Sequence, residues 1–268
     1  MSGRDAIEAL RQGRRWSHPI LLPSAAGLGA RIDAQPDGLA WRDPQKLADA
    51  CVAATRYLGA DAVWVPAFGP SGVPDLDAVT HRDAVQRAIA AAGRLQMGCV
   101  VEIRGPLGRA TALGGELDEA LKRLKPDIIA EFEALANLRP DIIVLAEPEP
   151  TPEQAENRVL ARLYGALRRL AEHYDILKGM KPAMPGMAGD TAPDLSFGIV
   201  PGMATGRRAL ALAADWTDAG GFATALARAR VEARDADLPL IVSCAQALGG
   251  EIEPNRCREA AALITESV

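Results

Sequence analysis

Carboxylates, an arginine and a cysteine recur at the ends of apolar runs, and that placement is the first chemical signal in this chain. Glu147-Pro148-Glu149 directly follows the run Asp141–Ala146. A carboxylate there can ligate a metal, accept a proton or hold a cation. The competing explanation is an acidic loop that caps the helix starting near Thr151. Glu102 and Arg104 share the run that begins at Gly98. Two residues apart in an extended chain, their side chains point to the same side. They can pair with each other, or Arg104 can hold an anion. Cys244 closes the run Pro239–Ser243 and reads either as a thiolate ligand or nucleophile or as a small buried hydrophobe. Asp215 and Trp216 end Ala209–Asp215, Ser24 follows Pro19–Pro23, and Trp64 and Phe68 lie in and just after Asp61–Pro66. Glu147, Asp215 and Cys244 are therefore the candidates for catalysis. Ser24, Trp64, Phe68, Glu102, Arg104, Glu149 and Trp216 are the candidates for substrate binding. Cys244 and Glu147 are the two residues that a metal could use.

Those residues meet in one place only if the runs are parallel strands joined by helices. The runs are rich in Val, Ile and Leu and apolar on both faces, as strands of a covered parallel sheet are. Ser196–Val200 adds a further strand, and a last one near Ile176–Met184 is weakened by its Gly and Pro content. Helices are expected at Pro44–Leu58, Asp83–Gly93, Leu117–Leu138, Pro152–His173, Gly221–Arg234 and Asn255–Ser267, with a kink or break at Pro126. Asp43 followed by Pro44, and Thr151 followed by Pro152, are cap-then-proline helix starts. Gly105-Pro106-Leu107-Gly108 reads as a close-approach loop, and Gly179–Pro193 as a mobile loop near the ligand face. The expected fold is a (β/α)8 barrel in one domain, residues 1–268. Residues 201–208, between Val200 and Ala209, are fewer than the ~12 of a strand–helix–strand crossover, so one unit is eroded or misplaced.

The composition narrows the function classes. Thirty basic and 35 acidic residues give a net charge of -5, which disfavours nucleic acid as a main partner. Arg11, Arg14 and Arg15 are the densest basic group, expected at the solvated end of a first helix. No apolar run reaches the ~18 residues of a membrane span, and no targeting segment is expected. The cysteines at 51, 99, 244 and 257 form no CxxC pair, so a reducing cytoplasm is the simplest setting, and Cys51, Cys99 and Cys257 read as core. His18, His81 and His173 form no metal pattern.

Several segments resemble one superfamily. Trp41–Asp49 through Tyr57–Ala62 is similar to a "DPEKLAE…RRFGADA" segment of the uroporphyrinogen decarboxylases. Arg104-Gly105-Pro106-Leu107, Ala214-Asp215-Trp216, and Ser243-Cys244 with Glu253-Pro254-Asn255 resemble stretches of the related corrinoid methyltransferases. Ala146-Glu147-Pro148-Glu149 resembles the "DEPA" strand end of cobalamin-independent methionine synthase. The resemblance implies a (β/α)8 barrel and one-carbon (methyl) transfer on a small molecule, with a corrinoid or tetrahydrofolate as carrier. A corrinoid protein or another subunit would be the partner, and the barrel would pair as a homodimer. Two departures matter. The substrate-binding arginines and the catalytic Asp of the decarboxylases are replaced by Pro23-Ser24-Ala25-Ala26-Gly27 and Pro66-Ala67-Phe68. The H-x-C strand end that binds zinc in the methyltransferases corresponds to Phe197-Gly198-Ile199-Val200, which has no ligand. A barrel subunit that has lost its chemistry, and a decarboxylase or lyase acting on a small acid, are the alternatives.

Overall fold

The helix starts follow the caps that the sequence supplies. In the computed structural model, which describes residues 2–36, 38–69, 76–182 and 191–265, Asp43 accepts from the Gln45 and Lys46 amides and begins α3 (Pro44–Leu58). Gly59 ends that helix at φ 65°, a left-handed conformation that glycine adopts without strain. The other long helices are α4 (Ala78–Leu95), α6 (Leu117–Ala136), α8 (Arg158–His173), α9 (Ala219–Asp235) and α10 (Pro254–Thr265). Asp77 caps α4 earlier than periodicity indicates, and Asn157 caps α8, which is thereby separated from the short α7 (Pro152–Ala155). Pro126 lies inside α6, which is one helix and not two. Two helices were not anticipated, α2 (Ala26–Ile32) and α5 (Pro106–Leu113), while the expected first helix is α1 (Gly3–Arg11), which ends at Arg11. The stretch read as a glycine loop at 105–108 is the start of α5, with Pro106 in its first turn.

Among the described residues, nine strands form two sheets. One has the order β2 (Ala62–Val65), β3 (Gly98–Arg104), β4 (Ile142–Ala146), β5 (Leu177–Lys181), β6 (Leu195–Ser196), all parallel. The other has the order β1 (Ile20–Leu21), β9 (Leu240–Cys244), β8 (Leu210–Ala214), β7 (Gly202–Thr205). In it, β1, β9 and β8 are parallel and β7 runs antiparallel to β8. The weakly predicted strand near Ile176–Met184 is β5; residues 183–190 of the predicted mobile loop lie outside the described residues. The strand expected at Ser196–Val200 is only Leu195–Ser196, and the chain then turns directly into β7. A short antiparallel strand thus stands where a helix would join β6 to β8.

The sheets touch at both edges. At one, the Asp61 amide donates to the Leu21 carbonyl at 3.0 Å, while the Asp61 carboxylate accepts from the Leu21 amide at 2.8 Å. At the other, the Arg208 amide donates to the Asp194 carbonyl at 2.9 Å. One buried apolar cluster takes alternate residues from every strand except β7, among them Ile20, Trp64, Val100, Val144, Leu177, Leu195, Ala211 and Ile241. Ile7 and Leu10 of α1 join that cluster. The intervening strand residues pack outward against helices, as Val101, Ile143 and Met180 do in one cluster and Leu21, Leu212 and Val242 in another. This inner and outer alternation decides which strand-end side chains can meet. Among the described residues no helix is long and apolar enough to cross a membrane.

Candidate functional site

Glu102, Trp64 and Lys181 occupy inward positions near the C-terminal ends of β3, β2 and β5. Their strand-mates Val100, Ala62 and Leu177 lie in the inner cluster, and period two carries the direction along each strand. The Trp64 indole donates to Glu102 Oε2 at 2.9 Å. Lys181 Nζ lies 6.0 Å from the Trp64 ring centroid, a cation over an aromatic face. Phe197 meets the same indole edge-on, with centroids 5.2 Å apart. Burial pushes the Glu102 carboxyl upward, while the Lys181 charge and the Trp64 bond act against that shift. A carboxylate, an ammonium and an aromatic wall therefore share one space, suited to binding a small anionic molecule and moving a proton on it.

Arg104 lies one strand repeat beyond Glu102 and holds its guanidinium 5.0 Å from the Phe68 ring centroid. Arg104 and Phe68 line a cavity of about 270 Å³ with His81, Ile103, Arg109 and Glu131 among its walls. Burial lowers the His81 pKa to about 4, against a bond to the Pro66 carbonyl that acts the other way. Its ring is neutral at pH 7 and its Nε2 has no hydrogen-bond partner.

The remaining predicted residues are placed differently. Glu147 follows β4 in the outward direction, since Ile143 and Leu145 before it belong to the helix-facing core. Its carboxylate accepts from Tyr164 Oη at 2.5 Å and from the Gly108 and Leu107 amides at 2.8 and 3.3 Å, at the N-terminus of α5. Burial outweighs those donors and pushes its pKa to about 7. Gly105 is required here, because a Cβ at that position would run into the Glu147 carboxylate. Glu149 is exposed. Asp215 is exposed and accepts from the backbone and hydroxyl of Thr217, its own neighbour in the loop, which hold its carboxyl below the usual range. Trp216 is buried among outward core residues, donates to the Ser243 carbonyl at 3.1 Å and packs edge-on against Phe222.

Cys244 is buried, accepts from the Ser24 amide at 3.2 Å and donates to the Ser24 carbonyl at 3.4 Å. Burial is the main influence on its thiol and raises it; the Lys181 charge acts in the opposite sense. The group is therefore a thiol at neutral pH, and it packs with Val242 and Leu240 in the outward, helix-facing core. Among the described residues no group of three His, Cys, Asp or Glu could hold a metal. With Cys244 protonated and Glu147 engaged by α5 and Tyr164, these residues do not fit the zinc that the resemblance implies. Lys181, Phe197 and Tyr164 were missed from the sequence. The period-two spacing of Leu177, Gly179 and Lys181 was the available signal for Lys181, masked by Gly179 and Pro182.

No known protein-family profile matches the chain. The fold is similar to that of a methyltransferase from Methanosarcina mazei, with a TM-score of 0.70, 14% identity and 99% of both chains covered. A homocysteine methyltransferase from Escherichia coli has a TM-score of 0.48 and 12% identity, over 92% of this chain and 96% of that one. A stretch of 113 residues is 30% identical to ribonuclease HII of Thermofilum pendens and covers 41% of this chain. The match spans about half, 52%, of that protein. The chain is thus an α/β protein with mainly parallel sheets, and its fold is similar to that of the Methanosarcina mazei methyltransferase.

Proposed function

We propose that this chain is a (β/α)8-barrel enzyme of the uroporphyrinogen decarboxylase, corrinoid methyltransferase and cobalamin-independent methionine synthase superfamily. In this reading the two sheets close on each other, and β7 replaces one barrel helix. The reaction is transfer of a one-carbon (methyl) group to or from a small carboxylate-bearing molecule, with a corrinoid or a reduced folate as co-substrate carrier. The observation that carries it is Glu102, Lys181 and Trp64 converging at the strand ends. That end of a barrel is where such enzymes act. Lys181 supplies a point charge for the substrate anion. Glu102, whose proton affinity is raised by burial, holds or releases a proton. Trp64 and Phe197 form an apolar wall that keeps water from the reacting atoms.

The test is demethylation of methylcobalamin and of methyltetrahydrofolate by the purified chain in the presence of small thiols and small carboxylic acids. Glu102→Gln and Lys181→Met should each lower turnover by about 10²-fold or more, the usual contribution of a positioned acid–base or charged group. Unchanged turnover in both variants would remove the site, and no methyl movement from either carrier would remove the reaction. A second reading has an observation of its own. Lys181 and Arg104 place two cations at the strand ends of β5 and β3, an arrangement that also suits decarboxylation or lyase cleavage of a small acid. Carbon dioxide release without methyl movement would select it.

A further inference from the structure

The structure points to a second ligand site at the opposite end of the strands, where Arg15, Arg230 and Arg234 converge on one cavity. We propose that this cavity binds a small phosphate-bearing molecule that carries a planar ring. Its volume is about 530 Å³, within the range of small-molecule sites. The walls come from the segment between α1 and β1 (Arg15, Trp16, His18), from the last turns of α9 (Arg230, Arg234) and from the start of β9 at Leu240. It lies at the N-terminal ends of β1 and β9, and Glu102 and Lys181 at C-terminal strand ends, so it shares no residue with the site above.

Three guanidiniums around one cavity repel each other, and a chain of net charge -5 has no general excess of cations to explain them. Only part of that charge is answered locally. Arg15 Nε pairs with Asp237 at 3.1 Å, with both side chains largely exposed, so the pair is weak and easily exchanged. Arg230 Nη2 donates to the Ile264 carbonyl at 2.9 Å, and burial lowers its pKa. A neutral carbonyl fixes the direction of that guanidinium without cancelling its charge. A single carboxylate would engage one such fork, whereas a phosphate ester offers several oxygens and up to two charges, and so matches several. The Trp16 indole, half-buried beside the inner core, supplies a rigid face for a ring.

The experiment is calorimetric titration of the full chain with ADP, with ribose 5-phosphate and with inorganic pyrophosphate at about 0.15 M salt, where long-range attraction is screened. Indole fluorescence is followed in parallel. The expected result is saturable binding of ADP near one per chain with quenching, and binding of the two phosphates without a planar ring about tenfold weaker or worse. Arg234→Gln, at an exposed position, should weaken ADP by about tenfold, and Arg230→Gln by as much or more. Trp16→Leu should remove the preference for ADP over pyrophosphate. Equal affinity for ADP and pyrophosphate would overturn the ring assignment. Binding that vanishes at this salt, or that Arg234→Gln leaves unchanged in a chain with a normal melting profile, would overturn the site.

Discussion

Glu102 and Glu147 end neighbouring strands, both are buried, and burial pushes both carboxyls upward. They differ in the side of the sheet to which they point. Glu147 finds three donors supplied by the protein, two from the start of α5 and one from Tyr164 of α8. Its hydrogen-bonding capacity is spent inside the fold, and it fixes the first turn of one helix against another. Glu102 has the Trp64 indole and the more distant charge of Lys181. In the proposed function its remaining lone pairs are the ones left for a ligand. The lesson is that burial and a raised pKa do not by themselves identify a functional carboxylate. What distinguishes the two is whether the fold has already satisfied the group.

The largest expected effect follows from the satisfied one. Glu147→Ala leaves the Tyr164 hydroxyl and the Leu107 and Gly108 amides without their acceptor in a buried place. Each such group costs about 1–3 kcal/mol, so urea denaturation at pH 6 should show a loss of roughly 3–5 kcal/mol. A loss below about 1 kcal/mol, the size of an ordinary surface change, would erase the contrast with Glu102.

Next in size is a pH dependence. The folded chain holds the Glu147 proton up to about pH 7, whereas the ordinary value is 4.5. The folded state therefore binds more protons between these values, and this stability is complete below pH 4.5 and lost as pH rises through 7. His81 works in the opposite sense, with an ordinary value of 6.5 lowered to about 4. Its contribution is present above pH 6.5 and lost as pH falls through 4. Each shift corresponds to roughly 3 kcal/mol at about 1.4 kcal/mol per pH unit, so the two nearly cancel between pH 4.5 and 6.5. Removing one exposes the other. Relative to the wild-type chain, Glu147→Gln should gain stability as pH rises through this window, and His81→Gln should lose it. Parallel curves for the two variants would show that the groups do not titrate as their burial requires.

Much of this fold is legible in the sequence alone. Asp43-Pro44 and Gly59 delimit α3, because a cap, a proline and a left-handed glycine act locally. The apolar runs became strands, because a covered parallel strand needs little beyond its own residues. Alternation predicts Glu102 and Arg104 on one side of β3; in the structure Glu102 bonds the Trp64 indole, while Arg104 lies over Phe68 beside Ile103 and Arg109. What the sequence could not carry was parity after a strand ends. Glu147 and Trp216 were both expected with the ligand-facing residues, and their partners Tyr164, Gly108 and Ser243 are distant in sequence. Lys181 was hidden for the opposite reason: Gly179 and Pro182 make β5 resemble a loop, although its register against β4 from Leu177 to Lys181 is unbroken. The missing helix before β8 could be counted from residues 201–208, but not its replacement by a strand. β7 exists only through its pairing with β8.

A smaller loss tests the packing that separates the two carboxylates. Gly105→Ala would drive a methyl group into the Glu147 carboxylate and displace it from α5, at a cost of about 1–3 kcal/mol as an overpacked site. In a Glu147→Ala background the obstacle is gone, so the same substitution should cost measurably less. Equal costs in both backgrounds would mean that the glycine is required for its own backbone.

The smallest effect on stability, and the sharpest on function, belongs to Glu102→Gln. The glutamine carbonyl can still accept the Trp64 indole N–H, and the change removes a carboxyl whose charged form burial disfavours. Thermal unfolding should therefore shift by no more than the equivalent of about 1 kcal/mol, in either direction. The neutral amide also leaves the Lys181 charge uncompensated, so a small carboxylate should bind at least as well as to the wild-type chain. Turnover should fail, because an amide cannot take up the proton that a carboxylate can. A variant that is stable, binds and does not turn over would separate Glu102 from Glu147 by function as well as by geometry. If Glu102→Gln instead unfolded the chain as Glu147→Ala does, both carboxylates would be supports of the fold, and the chemistry would have to begin from Lys181 without a partner.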